Sequence, residues 1–221
     1  MAKADDKVGN GTSGKTVLRS ARGLFAATGK VSKPIDRISH DFYSTPADVT
    51  RALLRVEGKR LSGFKKIWEP AAGEAAMAKE LAKALPAKIV TSDIIDRGIG
   101  AEIKSFFDYD KPPAPALVTN PPFSLVNVRD GKGRWITHAL GTLDIDYMAL
   151  LLPFTWPSAG GLGRVWDKHP PAVVYLLTWK IDFTGQGAPP QNNAWFIWDK
   201  GHRGDTLFKR LDRKPRQGEL F

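Results

Sequence analysis

The sequence contains no cysteine, little histidine and no long apolar run, and each shortage excludes a class of function. Without cysteine there are no disulfides, no thiolate zinc sites and no cysteine nucleophile. The four histidines, His40, His138, His169 and His202, are scattered without ligand spacing, so we predict no metal site. No apolar run approaches the roughly 20 residues of a membrane span, and the N-terminus lacks a hydrophobic secretory segment. We therefore expect a cytoplasmic protein that does not enter a membrane.

Positive charge is abundant. The 221 residues include 33 Lys and Arg against 23 Asp and Glu, which gives a formal net charge of +10. Such an excess favours polyanionic partners, although a basic tail or a surplus that serves solubility gives the same number. The length fits one domain with a full core.

Composition divides the chain into three parts. Residues 1–40, rich in Gly, Ser, Lys and Arg, predict a basic, loosely ordered arm; residues 41–200 predict the folded domain; and residues 201–221 predict a basic C-terminal tail. Residues 9–16 match the phosphate-loop pattern of nucleotide triphosphatases. That loop needs a buried strand before it, and residues 1–8 are too polar to form one, which argues against this interpretation.

Segments of helical and strand character alternate from residue 45 onward. Thr45 can cap a first helix, in which Pro46 suits the first position and Gly58 predicts the end. A second helix turns Met77, Leu81 and Leu85 inward. The predicted strands are residues 67–68, 88–90, 116–118, 148–152, 173–177 and 194–198. This alternation predicts a Rossmann-like α/β sheet with helices on both faces.

Three polar residues stand just beyond the ends of predicted strands. They are Glu69, Asp93 and Asn120. Ligands of α/β sheets bind beyond the carboxyl ends of the strands. The shared position of these residues therefore predicts one site.

The sharpest motif is the run Asn120, Pro121, Pro122 and Phe123 after an apolar strand. Two prolines fix the backbone and remove two donors, which leaves carbonyl oxygens to face a ligand. The amino nitrogen of adenine is a poor nucleophile because its lone pair is delocalised. If the Asn120 side-chain oxygen and the Pro121 carbonyl accept its two hydrogens, that lone pair is directed at a methyl donor. Phe123 would stack on a base taken out of the helix; the alternative is a proline turn with Phe123 in the core.

Taken together, these segments resemble the amino-methyltransferases of DNA, in particular small adenine-specific enzymes of phage and prophage type. The resemblance spans about residues 41–200 and includes an opening cofactor segment (41–46), a first-strand loop (68–73), a ribose-binding acid and the catalytic loop. It implies a seven-stranded class I methyltransferase sheet with S-adenosylmethionine as cofactor. The implied reaction is methylation of the N6 amino group of adenine in double-stranded DNA, with the base flipped out.

The resemblance also assigns cofactor contacts. Gly73 would let the backbone approach the methionine part closely, Glu69 would face its ammonium group, and Asp93 would accept the ribose hydroxyls. Tyr43 and Thr45 would close the pocket. The full implied set is Tyr43, Thr45, Pro46, Glu69, Pro70, Ala71, Gly73, Asp93, Ile94, Ser105, Phe106 and Asn120.

One position departs from the family. Where the family usually has Asp-Phe-Leu to hold the cofactor adenine, this chain has Ser105, Phe106 and Phe107. Phe106 can still stack on the ring, but Ser105 is a weaker acceptor for the amino group. Asp108 can substitute for it if the loop bulges.

Several features bear on partners. Basic side chains after the catalytic loop and toward the C-terminus are expected to surround the cleft and contact DNA phosphates. Residues 184–193 resemble the family's late loop near the target base. No segment is long enough for a target-recognition domain of ordinary size, so we expect short or relaxed sequence specificity. The terminal segment from Gln217 to Phe221 resembles peptides that bind bacterial sliding clamps, with a frayed terminus as the alternative.

Three other functions stay open. The acceptor can be adenine in RNA, or a glutamine side-chain amide in a protein, although enzymes of that second class usually carry a helical substrate-binding domain where this chain has a basic arm. The chain can also be a DNA-binding accessory protein that has lost catalysis, as Ser105 slightly favours. Cytosine is disfavoured, because methylation at its five-position needs a thiolate and enzymes for its amino group typically have Ser in place of Asn120.

Overall fold

The computed structural model describes residues 44–126, 133–185, 187 and 191–215. Residues 1–40, Tyr43 and the segment from Gln217 to Phe221 lie outside this part of the chain. What was predicted for them, including the basic arm, the phosphate loop and the clamp-binding peptide, therefore stays a prediction.

Helices and strands alternate through the described residues, as the sequence predicts. The helices are α1 (Ala47–Leu61), α2 (Ala76–Ala84), α3 (Phe123–Val126), α4 (Arg134–Thr137) and α5 (Gly163–Lys168), and a π-helical turn follows at His138–Thr142. The strands are β1 (Lys66–Glu69), β2 (Lys88–Asp93), β3 (Glu102–Ile103), β4 (Ala116–Thr119), β5 (Tyr147–Pro153), β6 (Val173–Leu177), β7 (Asn193–Asp199) and β8 (Leu207–Leu211). Among the described helices, none has both the length and the apolar character that crossing a bilayer requires.

The strands form one eight-stranded sheet in the order β3-β2-β1-β4-β5-β7-β6-β8. β7 runs antiparallel to its neighbours β5 and β6, and the remaining pairs are parallel. The chain leaves β1 first toward β2 and later returns to β4 on the other side. The order of strands therefore reverses between β1 and β4, which is the position where open α/β sheets form ligand sites.

Both faces of the sheet are covered, which explains why its central strands are apolar along their whole length. β4 is buried at every position, and β5 at all but its last. The residues of β5 that face α1 and α2 are Tyr147, Ala149 and Leu151, and those on the opposite face are Met148, Leu150 and Leu152.

The sheet has two strands, β3 and β8, beyond the six predicted individually, and one more than the seven that the resemblance implies; α1 also has different ends. β8 lies within the segment that was predicted to be a tail, and it pairs with β6 in parallel. α1 continues past Gly58 to Leu61, which is fully buried, so packing outweighs the low helix propensity of glycine. The prediction that Thr45 caps α1 was wrong: Pro46 occupies the cap position, and no side chain caps the helix.

Hydrogen bonds fix α1 on the sheet at both ends. Near its start, Trp195 Nε1 donates to the Val49 carbonyl at 3.3 Å. Near its end, the carboxylate of Glu57 accepts from Tyr147 Oη at 3.1 Å and from Tyr175 Oη at 2.7 Å. Burial, together with the Glu57 charge, raises the pKa of both phenols, so they remain protonated donors.

The residues that follow β8 return to α1. Arg213 Nε bonds Asp48 Oδ2 at 2.6 Å, in the first turn of α1. Arg55 donates to the backbone carbonyls of Asp212 and Arg213. This segment therefore contacts the helix whose start lies beside Thr45.

Candidate cofactor and substrate site

Glu69 ends β1 and is almost completely buried. Its Oε2 accepts a hydrogen bond at 2.8 Å from the backbone N–H of Ala78, in the first turn of α2. Burial raises the pKa of the Glu69 carboxyl well above its ordinary value of 4.5, the Ala78 bond opposes this rise, and the charge of Asp93 adds to it. One oxygen of Glu69 is therefore occupied by the backbone of α2, and the predicted contact with a ligand ammonium falls to the other.

The raised pKa of Glu69 predicts a specific dependence of stability on pH. The folded protein holds this proton more tightly than the unfolded chain, so the charged carboxyl costs stability as pH rises from about 4.5 through the folded pKa. Glu69→Gln removes that cost. In urea unfolding, we expect the variant's gain in unfolding free energy over wild type to grow by at least about 1 kcal/mol between acidic and mildly alkaline pH.

Glu74→Gln is the matched control, because Glu74 is an exposed carboxyl in the same loop. It should leave the difference from wild type flat across the same pH range. An equally flat difference for Glu69→Gln would contradict the buried, proton-retaining carboxyl.

The loop after β1 makes a tight reversal that glycine permits. Gly73 has φ of 55° and Ala75 has φ of 60°, both in the left-handed region. Ala72 N donates to the carbonyl of Ser92 at 3.1 Å, and Gly73 N to Asp93 Oδ2 at 2.8 Å. Alanine in this region costs of order 1 kcal/mol, and such strain is characteristic of functional loops.

Pro70 and Ala71 begin this loop. Pro70 is buried, and Ala71 is half-buried against the core cluster on the far side of the sheet from α1. Neither side chain contributes a hydrogen-bonding group, so any contact that they make with a cofactor is one of shape.

Asp93 ends β2 beside this loop. Its Oδ2 accepts from Gly73 N, and its Oδ1 accepts from Ile95 N at 3.0 Å. Each carboxylate oxygen can accept a further bond, so Asp93 can position the loop and still receive hydroxyl groups. The next residue, Ile94, exposes 60% of its surface and places an apolar side chain beside that carboxylate. A ribose and a flat ring would find suitable partners at these two residues.

The segment at Ser105 differs from what the sequence suggested. Ser105 Oγ accepts from Phe107 N at 3.2 Å, so it caps a 3₁₀ turn over Phe106–Asp108. Phe106 is 2% exposed, and its ring stacks on Trp135 with a centroid separation of 3.9 Å. The predicted stacking of Phe106 on a cofactor adenine does not fit this arrangement, because Trp135 already covers the ring. Asp108 is exposed at the end of the turn.

Sequence reasoning missed two ring nitrogens near this turn. Trp135 Nε1 and His138 Nε2 are buried, and neither has a hydrogen-bond partner among the described residues. The His138 ring contacts Phe106 and Phe107 at centroid separations of 5.1 and 5.4 Å. Only the fold brings α4 to this turn, so no local pattern could have indicated them.

Asn120 follows β4 at the carboxyl edge of the sheet. Its Nδ2 donates to Thr45 Oγ1 at 3.1 Å, across 75 positions of sequence. Its Oδ1 is buried, and no described residue donates to it. The bond to Thr45 therefore fixes the amide so that an unused acceptor faces away from Thr45, and buried acceptors in folded proteins are normally satisfied.

The remaining residues of the motif continue the chain away from Asn120. Pro121 is buried, Pro122 is half-buried, and Leu125 N donates to the Pro122 carbonyl at 3.0 Å in the turn that begins α3. Phe123 is half-buried and packs against the same core cluster as Ala71. This packing agrees with the alternative role in the core, and the role beside a substrate stays a prediction.

One of the predicted basic residues lies away from the site. Lys200 follows β7, which runs antiparallel to β5, so it lies at the opposite edge of the sheet from Asn120, where it pairs with Asp144 and Asp146. Arg134 is exposed, and its guanidinium stands 4.6 Å from the ring centre of Phe107. Within the described residues, no three His, Asp or Glu side chains form a group that could hold a metal ion.

Solved structures share this fold, whereas sequence comparison finds nothing. No known protein family matches the sequence, and no curated protein is similar to it. A Listeria monocytogenes protein assigned to the class I S-adenosylmethionine-dependent methyltransferases aligns with a TM-score of 0.52 and 13% identity, over 76% of this chain and 65% of its own. The modification subunit assigned to a type I restriction enzyme of Vibrio vulnificus aligns with a TM-score of 0.53 and 13% identity, over 76% of this chain and 47% of its own.

A Pyrococcus horikoshii protein assigned as an RNA methyltransferase aligns with a TM-score of 0.55 and 12% identity, over 73% of this chain and 87% of its own. The chain spans less than two thirds of the Listeria and Vibrio proteins. The fold is that of the Rossmann-like class I methyltransferases, as predicted. At this level of identity the likeness concerns the fold alone, and function has to be argued from the site.

Proposed function

We propose that this chain transfers a methyl group from S-adenosylmethionine to the N6 amino group of adenine in DNA. The observation that carries the proposal is the buried Oδ1 of Asn120, which no described residue satisfies and which the Nδ2 bond to Thr45 holds in place. An acceptor fixed in this way suits a planar amine that must donate a hydrogen. The proline pair after Asn120 supports the same interpretation.

The chain's own residues fit the cofactor. Asp93 retains acceptor capacity for ribose hydroxyls, Ile94 offers an exposed apolar surface, and the Gly73 turn brings backbone close to the same place. Glu69 carries the second carboxyl, for the ammonium end. When bound, S-adenosylmethionine supplies an electrophilic methyl group on a cationic sulfur. The adenine-ring contact is the weakest part of the fit, because Phe106 is covered.

Asn120 would act by orienting the amine. Accepting one N–H at Oδ1, and the other at the Pro121 carbonyl, holds the nitrogen with its lone pair directed out of the ring plane. As the new N–C bond forms, the bond between the methyl group and sulfur would break and S-adenosylhomocysteine would leave. The nitrogen becomes acidic only then, so its proton would pass to solvent without a base of tuned pKa. The catalytic benefit comes from acceptors that are already in position, which stabilise the transition state more than the ground state.

We favour DNA as the acceptor because the net charge favours a nucleic acid and the motif from Asn120 to Phe123 resembles that of DNA adenine methyltransferases. A net charge of +10 suits a polyanion and does not distinguish DNA from RNA. RNA adenine is the second candidate, because the Pyrococcus protein that shares the fold is assigned as an RNA methyltransferase. The described residues that precede β1 form α1 alone, whereas enzymes that methylate protein glutamine usually place a larger helical domain there.

Methyl-labelled S-adenosylmethionine offered with DNA, RNA or protein tests the proposal directly. We expect label in DNA, recovered as N6-methyl-2′-deoxyadenosine after digestion to deoxynucleosides. A duplex of deoxyguanosine and deoxycytidine alone is the matched control and should stay unlabelled. Label confined to RNA or to protein would replace the proposal with one of its alternatives, and no label in any acceptor would favour a non-catalytic accessory protein.

A further inference from the structure

Asn193 begins β7 and buries a polar side chain at the end of the sheet that holds the site. The residue is 1% exposed, and its Nδ2 has no hydrogen-bond partner among the described residues. Leaving a buried donor unpaired is costly, so such a group calls for an explanation, of which a bound ligand is one. None of the roles assigned above uses this amide.

The strand register places Asn193 on the same face as Asn120. β4 and β5 pair with Thr119 beside Leu150, so Asn120 comes next to Leu151, and Leu151 pairs with Trp195 in β7. Side chains alternate along a strand, so Asn193 shares the face of Trp195. Asn193 lies two positions further than Trp195 toward the carboxyl edge of the sheet, where β5 ends.

α1 covers this face from the same end. Trp195 Nε1 bonds the Val49 carbonyl in the first turn of α1, and Thr45, just before that turn, bonds Asn120. Asn193 pairs with Pro153 at the end of β5, beyond the level of Trp195. The two amides therefore flank the end of β5 on a single face.

The separation between the two amides matches a base. Two strand spacings sideways and two residues along the strand put the Cα atoms of Asn120 and Asn193 about 12 Å apart. Both side chains project from one face of the sheet, so a single purine beyond the end of β5 can reach both amides. One amide then presents an unused acceptor, and the other an unused donor.

We infer that the Asn193 side-chain amide donates a hydrogen bond to a ring nitrogen of the adenine whose amino group is held at Asn120. The inference rests on the proposed function and adds to it a residue that selects the base. Adenine offers a hydrogen-donating amino group and acceptor ring nitrogens, whereas guanine carries a carbonyl in place of that amino group and an N–H at N1. Guanine shares the acceptors N3 and N7, so the Asn193 donor favours adenine over guanine where it meets N1.

The test pairs removal of the donor with removal of each acceptor. Duplexes with one methylatable adenine are compared with duplexes that carry 1-deaza-, 3-deaza- or 7-deazaadenine there. For wild type, one analogue should lower kcat/KM by about 10-fold, the worth of one hydrogen bond. Asn193→Leu should lower kcat/KM on adenine by about the same factor. The analogue that lowers kcat/KM for wild type should cause no further loss in this variant.

Asn192→Ala is the matched control, because Asn192 is the adjacent asparagine and is exposed. It should discriminate among the analogues as wild type does. If the Asn193→Leu and analogue effects multiply, or if wild type tolerates all three analogues, the inference is overturned while adenine methylation stands. If wild type does not methylate adenine, the proposed function itself has failed.

Stability gives a second readout that does not depend on activity. Leucine is close in shape to asparagine and removes a donor that has no partner, so Asn193→Leu should keep or raise Tm. A marked fall in Tm would show that the amide serves the core and would overturn the inference.

Discussion

Replacing Asn120 with alanine is expected to lower kcat for methyl transfer by about 10²- to 10³-fold, the usual cost of removing one preorganised hydrogen-bonding group from a transition state. The lost group is the buried Oδ1 that Thr45 holds in position. The bond that it makes gains strength as the nitrogen acquires charge, so binding of the ground state should change only a few-fold. Single-turnover transfer of labelled methyl, measured beside equilibrium binding of DNA, separates the two effects.

A pair of threonines in and before α1 provides the control. Thr45→Val removes the partner of Asn120 Nδ2 and should lower kcat less than the alanine variant does, because Oδ1 remains but is free to turn. Thr50→Val is its match: Thr50 is equally buried, and its hydroxyl has no partner among the described residues. Thr50→Val should leave kcat as in wild type. If Asn120→Ala keeps a tenth or more of the activity, the amide is not part of the catalytic machinery.

Asp93→Ala is expected to weaken binding of S-adenosylhomocysteine, the stable reaction product, by about 100-fold, as the loss of two hydrogen bonds would. The substitution removes the predicted ribose acceptor and also releases the backbone N–H groups of Gly73 and Ile95. Isothermal titration measures the affinity directly, with no need for an acceptor substrate.

Asp96→Ala controls for the loss of a carboxylate from the same segment. Asp96 is exposed, and among the described residues its Oδ1 accepts only the local N–H of Gly98, at 2.8 Å. Its removal should leave the affinity close to wild type. Equal weakening by both variants would mean that general charge in this segment, rather than the position of Asp93, governs binding.

The sequence predicted the strands of the sheet centre well because burial on both faces leaves an unambiguous apolar run. The strand predicted at residues 173–177 has the same limits in the structure, and those predicted at 148–152 and 194–198 extend by one residue at each end. β8 was missed because it is an edge strand: four of its five residues are exposed, and Lys209 and Arg210 resemble the charged tail around them. Its pairing with β6 is a non-local interaction that no local pattern encodes.

The candidate site was predicted in part for a similar reason. Asn120, Asp93 and Glu69 could be predicted because each lies at the end of a largely apolar strand, and the sheet brings strand ends together. Thr45, Phe106 and Asn193 depend on contacts between distant segments. The Thr45 hydroxyl accepts a hydrogen bond from Asn120 instead of capping its own helix. Phe106 stacks on Trp135, which follows it by 29 positions in the chain. A residue's type and neighbours cannot reveal such a partner.

The segment after β8 contacts α1, and the start of α1 lies beside the hydrogen-bonded pair of Thr45 and Asn120. Arg213 pairs with Asp48, three positions after Thr45, and Arg55 fastens the neighbouring carbonyls two helical turns further on. Exposed ion pairs of this kind contribute little stability one at a time. Under the proposed function we expect them to act on alignment, because the Thr45 hydroxyl, just before α1, bonds the Asn120 amide. Substitutions beyond residue 211 can therefore change turnover without altering any atom that a methyl donor or a base would touch.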